Sequence, residues 1–204
     1  MTLLSPGTQS SRPITDRVKE SLFDVLYNYE LPGGAVVADL FCGVGSLGLE
    51  ALSRGAKSVT FVEKDERILA TLKKNIERAG FHKQARVVRA NAFAVGAALG
   101  SAQEKCNLVF VDPPYAATEN VQADSALAGL LDVLGEQVTE DVMVIVRTSR
   151  DVSLLDRYGR FCVAQRRQWG TMAVTILTKA EDTTSQTTGD TQEDDEQAGG
   201  NTDH

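Results

Sequence analysis

A chain of 204 residues, 42% of them hydrophobic, has enough apolar material for one sizeable globular domain. No apolar run nears the roughly 20 residues that a membrane-spanning helix requires, and residues 1–11 lack the charged-then-apolar layout of a signal peptide. The formal net charge of −7 gathers at one end, because residues 181–204 hold eight acids and no Lys or Arg.

In chain order, residues 1–11 are polar, with Pro6 and Gly7, and read as a flexible arm. A helix follows, capped by Thr15 or Asp16, with Val18, Leu22, Val25, Leu26 and Tyr29 on one face, and Pro32-Gly33-Gly34 ends it. Strands are expected at residues 35–41, 58–63, 85–89, 107–112 and 141–147. Between them lie helices at 46–54, 65–79, 93–99 and 126–134. That alternation implies a parallel sheet with helices on both faces. Two further strands, 158–166 and 171–179, are separated only by 167–170, which forces an antiparallel hairpin. The expected fold is therefore α/β and Rossmann-like: a seven-stranded, mostly parallel sheet with a C-terminal antiparallel hairpin. Residues 12–180 form the domain, and 181–204 form an acidic tail with too little apolar surface to fold.

Without the tail, residues 1–180 carry 20 acids against 21 bases, so charge does not exclude a polyanionic partner. Cys42, Cys106 and Cys162 are scattered, odd in number and without a CxxC pair, and only two histidines are present. This argues for a reducing cytosol and against a disulfide framework or a metal site. Cys42 reads as a packed residue, since no histidine lies near it in sequence to activate a thiolate.

Gly43, Gly45 and Gly48 form a G-x-G-x-x-G between a strand and a helix, where the backbone turns sharply and can approach a ligand. Glu63 lies twenty residues past Gly43 at the next strand end, where an acid takes two ribose hydroxyls. Asn91-Ala92 follows the third strand and could read an adenine edge. Asp39 either assists there or orders the glycine turn as a buried acid. A dinucleotide fits these features too. Against it, the chain is too short for a second nucleotide-binding half plus a substrate domain, and its sheet closes with an antiparallel hairpin.

Asp112-Pro113-Pro114-Tyr115 follows the apolar run Leu108-Val109-Phe110-Val111, at the carboxyl end of the fourth strand. Two prolines remove two N–H donors and fix two φ angles, giving a stiff loop with carbonyl acceptors beside a carboxylate and a ring. Such a corner suits a flat, conjugated group carrying an NH2. The other reading is a rigid turn without chemistry.

Asp39-x-Phe41-x-Gly43-x-Gly45, Glu63, Asn91 and Asp112-Pro113-Pro114-Tyr115, in this order, resemble the class I S-adenosylmethionine-dependent amino-methyltransferases. More narrowly, Arg12-Pro13-Ile14-Thr15-Asp16-Arg17-Val18-Lys19-Glu20 and the long run from Asp39 to Ala56 look like the RsmD-type 16S rRNA (guanine-N2)-methyltransferases. The resemblance covers about residues 12–179. It departs from the family pattern at residues 1–11, which carry no Lys or Arg.

This resemblance implies S-adenosyl-L-methionine as cofactor and methylation of a guanine N2 amine in ribosomal RNA, free or within a 30S assembly particle. It implies a cytoplasmic monomer with no metal and no membrane. Glu63 would hold the ribose, Asn91 and the Ala92 amide the adenine, and Gly43 and Gly45 the methionine portion. Asp39, Phe41 and Lys64 would stand beside them. Asp112 and the Pro113 carbonyl would accept from the target amine, Pro114 would stiffen the loop, and Tyr115 would stack on the base.

For RNA binding the candidates are Arg12 and Arg17, the hairpin residues Arg166 and Arg167, and Trp169 as a stacking platform. They belong to a basic surface that includes Arg147, Arg150, Arg157 and Arg160. Rival readings are a DNA adenine-N6 or cytosine-N4 methyltransferase and a non-catalytic cofactor- or RNA-binding module.

Overall fold

The computed structural model describes residues 3–4, 14–99 and 104–180. Arg12, most of the arm and the acidic tail lie outside the described residues. The strands are β1 (Val36–Leu40), β2 (Ser58–Glu63), β3 (Ala85–Arg89), β4 (Cys106–Val111), β5 (Val138–Ser149), β6 (Arg157–Tyr158), β7 (Phe161–Trp169) and β8 (Met172–Lys179). The helices are α1 (Asp16–Tyr27), α2 (Ser46–Ser53), α3 (Glu66–Ala79), α4 (Ala92–Val95) and α5 (Ala126–Gly135), with a 3-10 turn at Tyr115–Thr118. They form one sheet in the order β3-β2-β1-β4-β5-β8-β7-β6. β1 to β5 are parallel, and β8, β7 and β6 add antiparallel strands at the β5 side.

Strand periodicity divides the core. Along β4, Leu108 and Phe110 face the layer containing α1, α2 and α3, while Val109 and Val111 face α5. Phe23 of α1 meets Phe110 with ring centroids 5.8 Å apart. On the other face Leu127, Leu130, Leu131 and Leu134 of α5 are all fully buried. Burying each such side chain contributes roughly 1.5–3 kcal/mol, which outweighs any local propensity in these short elements.

The sheet differs from the seven strands expected, and each difference has a local cause. The expected strand 158–166 breaks at Gly159, whose φ of 52° turns β6 back onto Phe161 and Cys162. The hairpin turn is only Gly170-Thr171, so Arg167 and Trp169 belong to β7 rather than to a tip. α4 stops at Val95 because Gly96 adopts φ 56° and Gln137 seals the end: it accepts from Ala97 N–H at 2.7 Å and donates to the Val95 carbonyl at 3.0 Å. Tyr29, expected on the inward face of the first helix, lies beyond its end and is 51% exposed.

β1 is flanked by β2 and β4, and the chain winds outward from it in both directions. Side chains from the carboxyl ends of these three strands therefore border one crevice, the usual ligand position in open α/β sheets.

Candidate active site

The crevice is a groove of about 1660 Å³. Its floor is the turn after β1. Asp39 is buried, and its Oδ2 accepts the Gly48 N–H at 2.8 Å, tying the strand to the first turn of α2. The turn closes with Gly45 N–H donating to the Cys42 carbonyl at 2.8 Å.

The glycines do different work. A Cβ on Gly43 would meet nothing within 4 Å, so this face of the turn is open to the groove. Gly45, at φ 87°, is packed instead: a Cβ there would stand 2.5 Å from Leu72 Cδ1. Gly45 therefore shapes the turn from behind and does not border the groove as expected for a methionine contact. Phe41, another expected site residue, borders the groove with a left-handed φ of 59°.

Glu63 ends β2 with its carboxylate held by backbone. Oε2 accepts from Gly43 N–H at 3.2 Å, and Oε1 accepts from Lys64 and Asp65 N–H at 2.8 and 2.9 Å. Lys64 is exposed on the groove wall. After β3, Asn91 caps α4, its Oδ1 accepting the Phe93 N–H at 3.2 Å, and Ala92 is buried beside it. Phe93 and Phe41 pack with ring centroids 4.7 Å apart at 58°. Sequence reading missed Phe93, although an aromatic directly after Asn91-Ala92 was a usable signal for a ring on this wall of the groove.

Opposite lies the Asp112-Pro113-Pro114-Tyr115 corner. Asp112 N–H continues the sheet to the Leu40 carbonyl at 3.3 Å, and the Pro114 carbonyl accepts from Ala117 N–H at 2.8 Å to start the 3-10 turn. Tyr115 is half-buried on the groove wall, its hydroxyl buried with no hydrogen-bond partner among the described residues. Downstream, the Tyr158 hydroxyl donates to the Val121 carbonyl at 2.5 Å and accepts from Leu155 N–H at 3.2 Å, fixing the segment after the corner. Asp112 Oδ1 accepts from Arg147 Nε at 2.5 Å. Arg147, counted from sequence in a basic surface, is only 6% exposed.

Asp39, Glu63 and Asp112 thus bring three carboxylates to one groove. Burial, with the nearby charges of Asp112 and Glu63 and against the Gly48 hydrogen bond, pushes Asp39 up to about 7. Burial also raises Asp112, and Arg147 opposes it. The Cys42 thiol is raised by burial and by Asp39 and Glu63, which leaves it no nucleophilic character at neutral pH. Among the described residues no group of three or more His, Cys, Asp or Glu is placed to hold a metal. No helix among them is long and apolar enough to cross a membrane.

The groove also has a wall that sequence did not reveal. Asn75 of α3 is fully buried. It accepts the Leu4 N–H at 2.8 Å and donates to the Leu4 carbonyl at 3.2 Å and the Val44 carbonyl at 3.1 Å. Leu3 and Leu4, read as part of a flexible arm, are pinned beside the glycine turn and border the groove.

The RNA candidates divide. Arg17 and Arg167 are exposed. Arg166 instead holds a loop, donating to the Arg150 and Val152 carbonyls at 2.6 and 3.0 Å. Trp169 is half-buried against the α1 side of the core, where a stacking platform had been expected.

A family model described as "Conserved hypothetical protein 95" matches residues 1–178. "Putative rRNA methyltransferase YlbH" of Bacillus subtilis is 34% identical over 170 residues, covering 83% of this chain and 89% of that one. "Ribosomal RNA small subunit methyltransferase D" of Haemophilus influenzae is 34% identical over 150 residues, covering 73% and 74%. The Escherichia coli protein of the same name is 43% identical over 112 residues, and the match spans about half of each chain. Among solved structures, "Putative methyltransferase yhhF from Escherichia coli" superposes with a TM-score of 0.68 at 28% identity, covering 86% of this chain and 91% of that one.

Proposed function

The chain belongs to the RsmD-type rRNA methyltransferases, and from that premise we propose that it methylates the exocyclic N2 amine of a guanine in small-subunit rRNA with S-adenosylmethionine. The observation that carries this reading is the groove between Glu63 and Asp112: an adenosine-suited end at β2 and β3, an amine-suited corner at β4, and the glycine turn between.

The residues fit the cofactor on chemical grounds. A cavity bordered by three carboxylates suits a ligand bearing positive charge, and the open face of Gly43 admits it closely. Glu63 would take the ribose hydroxyls, with Lys64 beside it. Asn91 and Ala92 would hold the adenine near the Phe41–Phe93 pair, and Asp39 would face the charged end. Once held there, S-adenosylmethionine would supply a methyl group on a sulfonium, an electrophile suited to an aimed amine, with a neutral thioether as its leaving group.

A guanine N2 lone pair is delocalised into the ring and has to be aimed. Asp112 and the Pro113 carbonyl accept its two N–H groups and hold the lone pair in line. The same acceptors stabilise positive charge growing on nitrogen. The proton then leaves to Asp112 or to water. Pro114 keeps the corner stiff, and Tyr115 offers a ring to a base taken out of its helix or loop. Arg17 and Arg167 remain exposed for phosphate contact.

Labelled cofactor incubated with bare rRNA and with 30S particles lacking the modification, followed by mapping of the label, tests the reading. Label at one guanine N2, lost in Asp112→Ala with cofactor binding kept within about tenfold, is expected because positioning of the amine and not cofactor affinity is removed. Label on DNA adenine or cytosine, cofactor binding without transfer to any substrate, or normal turnover by Asp112→Ala would each sink it.

A further inference from the structure

Asp112 and Arg147 end the same pattern on neighbouring strands. Leu108-Val109-Phe110-Val111 pairs in register with Met143-Val144-Ile145-Val146, so the next residues, a carboxylate and a guanidinium, meet at the groove. The side chains are 19% and 7% exposed, and Nε to Oδ1 is 2.5 Å. A carboxylate alone in so wide a groove could turn about its χ2 and present either oxygen. The Nε–H fixes that torsion through Oδ1, and Oδ2 has no hydrogen-bond partner among the described residues.

We propose that Arg147 is a positioning residue for methyl transfer: it locks the rotation of Asp112 and keeps it an anion, so that the second carboxylate oxygen meets the incoming amine. This rests on the amine-clamp reading of Asp112 given above. Burial alone would favour a protonated Asp112, and Arg147 is the group that opposes it. The other charged groups bordering the groove include Asp39 and Glu63 at the ends of β1 and β2, Asp16 and Lys19 of α1, and Arg150 and Asp151 after β5. Lys19 lies 3.3 Å from Asp16 and 3.5 Å from Glu50, so its charge is matched on its own side. Among the described residues, Arg147 is the cation in direct contact with Asp112.

Arg147→Gln and Arg147→Lys, compared with wild type in kcat, cofactor KM and pH profile, test the proposal. In Arg147→Gln, kcat at pH 7 is expected to fall at least about tenfold with cofactor KM within about threefold, the pattern of a lost transition-state interaction. Its acid limb moves to higher pH, and activity partly returns at alkaline pH. A 13C carboxyl titration of the ligand-free protein is expected to show Asp112 titrating higher in this variant. Arg147→Lys keeps the acid limb near its wild-type position but has a lowered kcat, because an ammonium holds charge without the planar Nε–H. A folded Arg147→Gln with wild-type profile and titration overturns the proposal. If that variant fails to fold, Arg147→Lys decides, and wild-type kcat there overturns the orienting role. Should wild type methylate no RNA, the clamp reading fails, while the Asp112 titration still judges the pairing.

Discussion

Removing the Glu63 carboxylate takes an acceptor from Gly43, Lys64 and Asp65 at once and, on the proposed reading, from two ribose hydroxyls. Glu63→Ala is expected to weaken S-adenosylmethionine binding by roughly 1–3 kcal/mol, the scale of lost hydrogen bonds to a charged group. Unchanged affinity by calorimetry would displace the adenosine from this end. Asp39 sets a pH dependence. Its folded-state value of about 7 lies above the ordinary carboxylate value of 3.8, so the folded protein binds the extra proton between those limits. Stability from this group is full below about pH 4 and is lost as pH rises toward 7. Asp39→Asn should flatten that slope in urea melts at pH 5 and 7.5. A cation prefers the ionised form, so cofactor affinity in wild type should rise with pH through 7 and stay level in Asp39→Asn. Equal pH slopes in both proteins would count against a charged end at Asp39. The position of Glu63, at the groove beside Gly43, was legible from its spacing to that glycine. Arg147 was not, because an arginine among five others reads as surface. The signal was present all the same: Leu-Val-Phe-Val-Asp and Met-Val-Ile-Val-Arg are one pattern with opposite final charges.

At the scale of elements, the packing behind the glycine turn is the demanding part. A Cβ on Gly48 would collide with the Phe61 ring and stand 2.9 Å from Asp39 Oδ2. Since Phe61 is fully buried between β1 and β3, it has little room to give. Gly48→Ala should therefore destabilise the protein by about 1–3 kcal/mol, as overpacking of a filled core does. An unchanged denaturation midpoint would mean that α2 can slide away from the sheet. Strand and helix order was readable because apolar periodicity and N-caps such as Thr15, Asp65 and Ser125 are local. Gly159 and Gly96 decided two of the misread boundaries. Each is one residue whose left-handed φ acts only through what packs around it, Asp132 in one case and Gln137 in the other.

Across the whole molecule, Asn75 couples segments far apart in sequence. Its side chain joins α3 to Leu4 and to the turn residue Val44. Asn75→Ala removes three hydrogen bonds from a fully buried position and is expected to cost about 1–3 kcal/mol for groups left unsatisfied. Hydrogen exchange should speed up at the Leu4 amide and across the glycine turn together. Protection lost at Leu4 alone would show that the arm and the turn are independent. No sequence pattern announces such a contact, since a buried asparagine on an amphipathic helix resembles an exposed one.

The two ends of the described chain leave this fold at opposite edges. Leu4 lies on the lip of the groove, whereas β8 runs antiparallel to β5 and delivers Lys179 to the far edge, where its Nζ meets the Val138 carbonyl and Glu140. A fluorescent probe placed at Leu4 is therefore not equivalent to one placed at Lys179. At Leu4 it stands beside the groove and pulls on the segment that Asn75 holds. At Lys179 it stands at the opposite end of the strands, beside Val138 and Glu140.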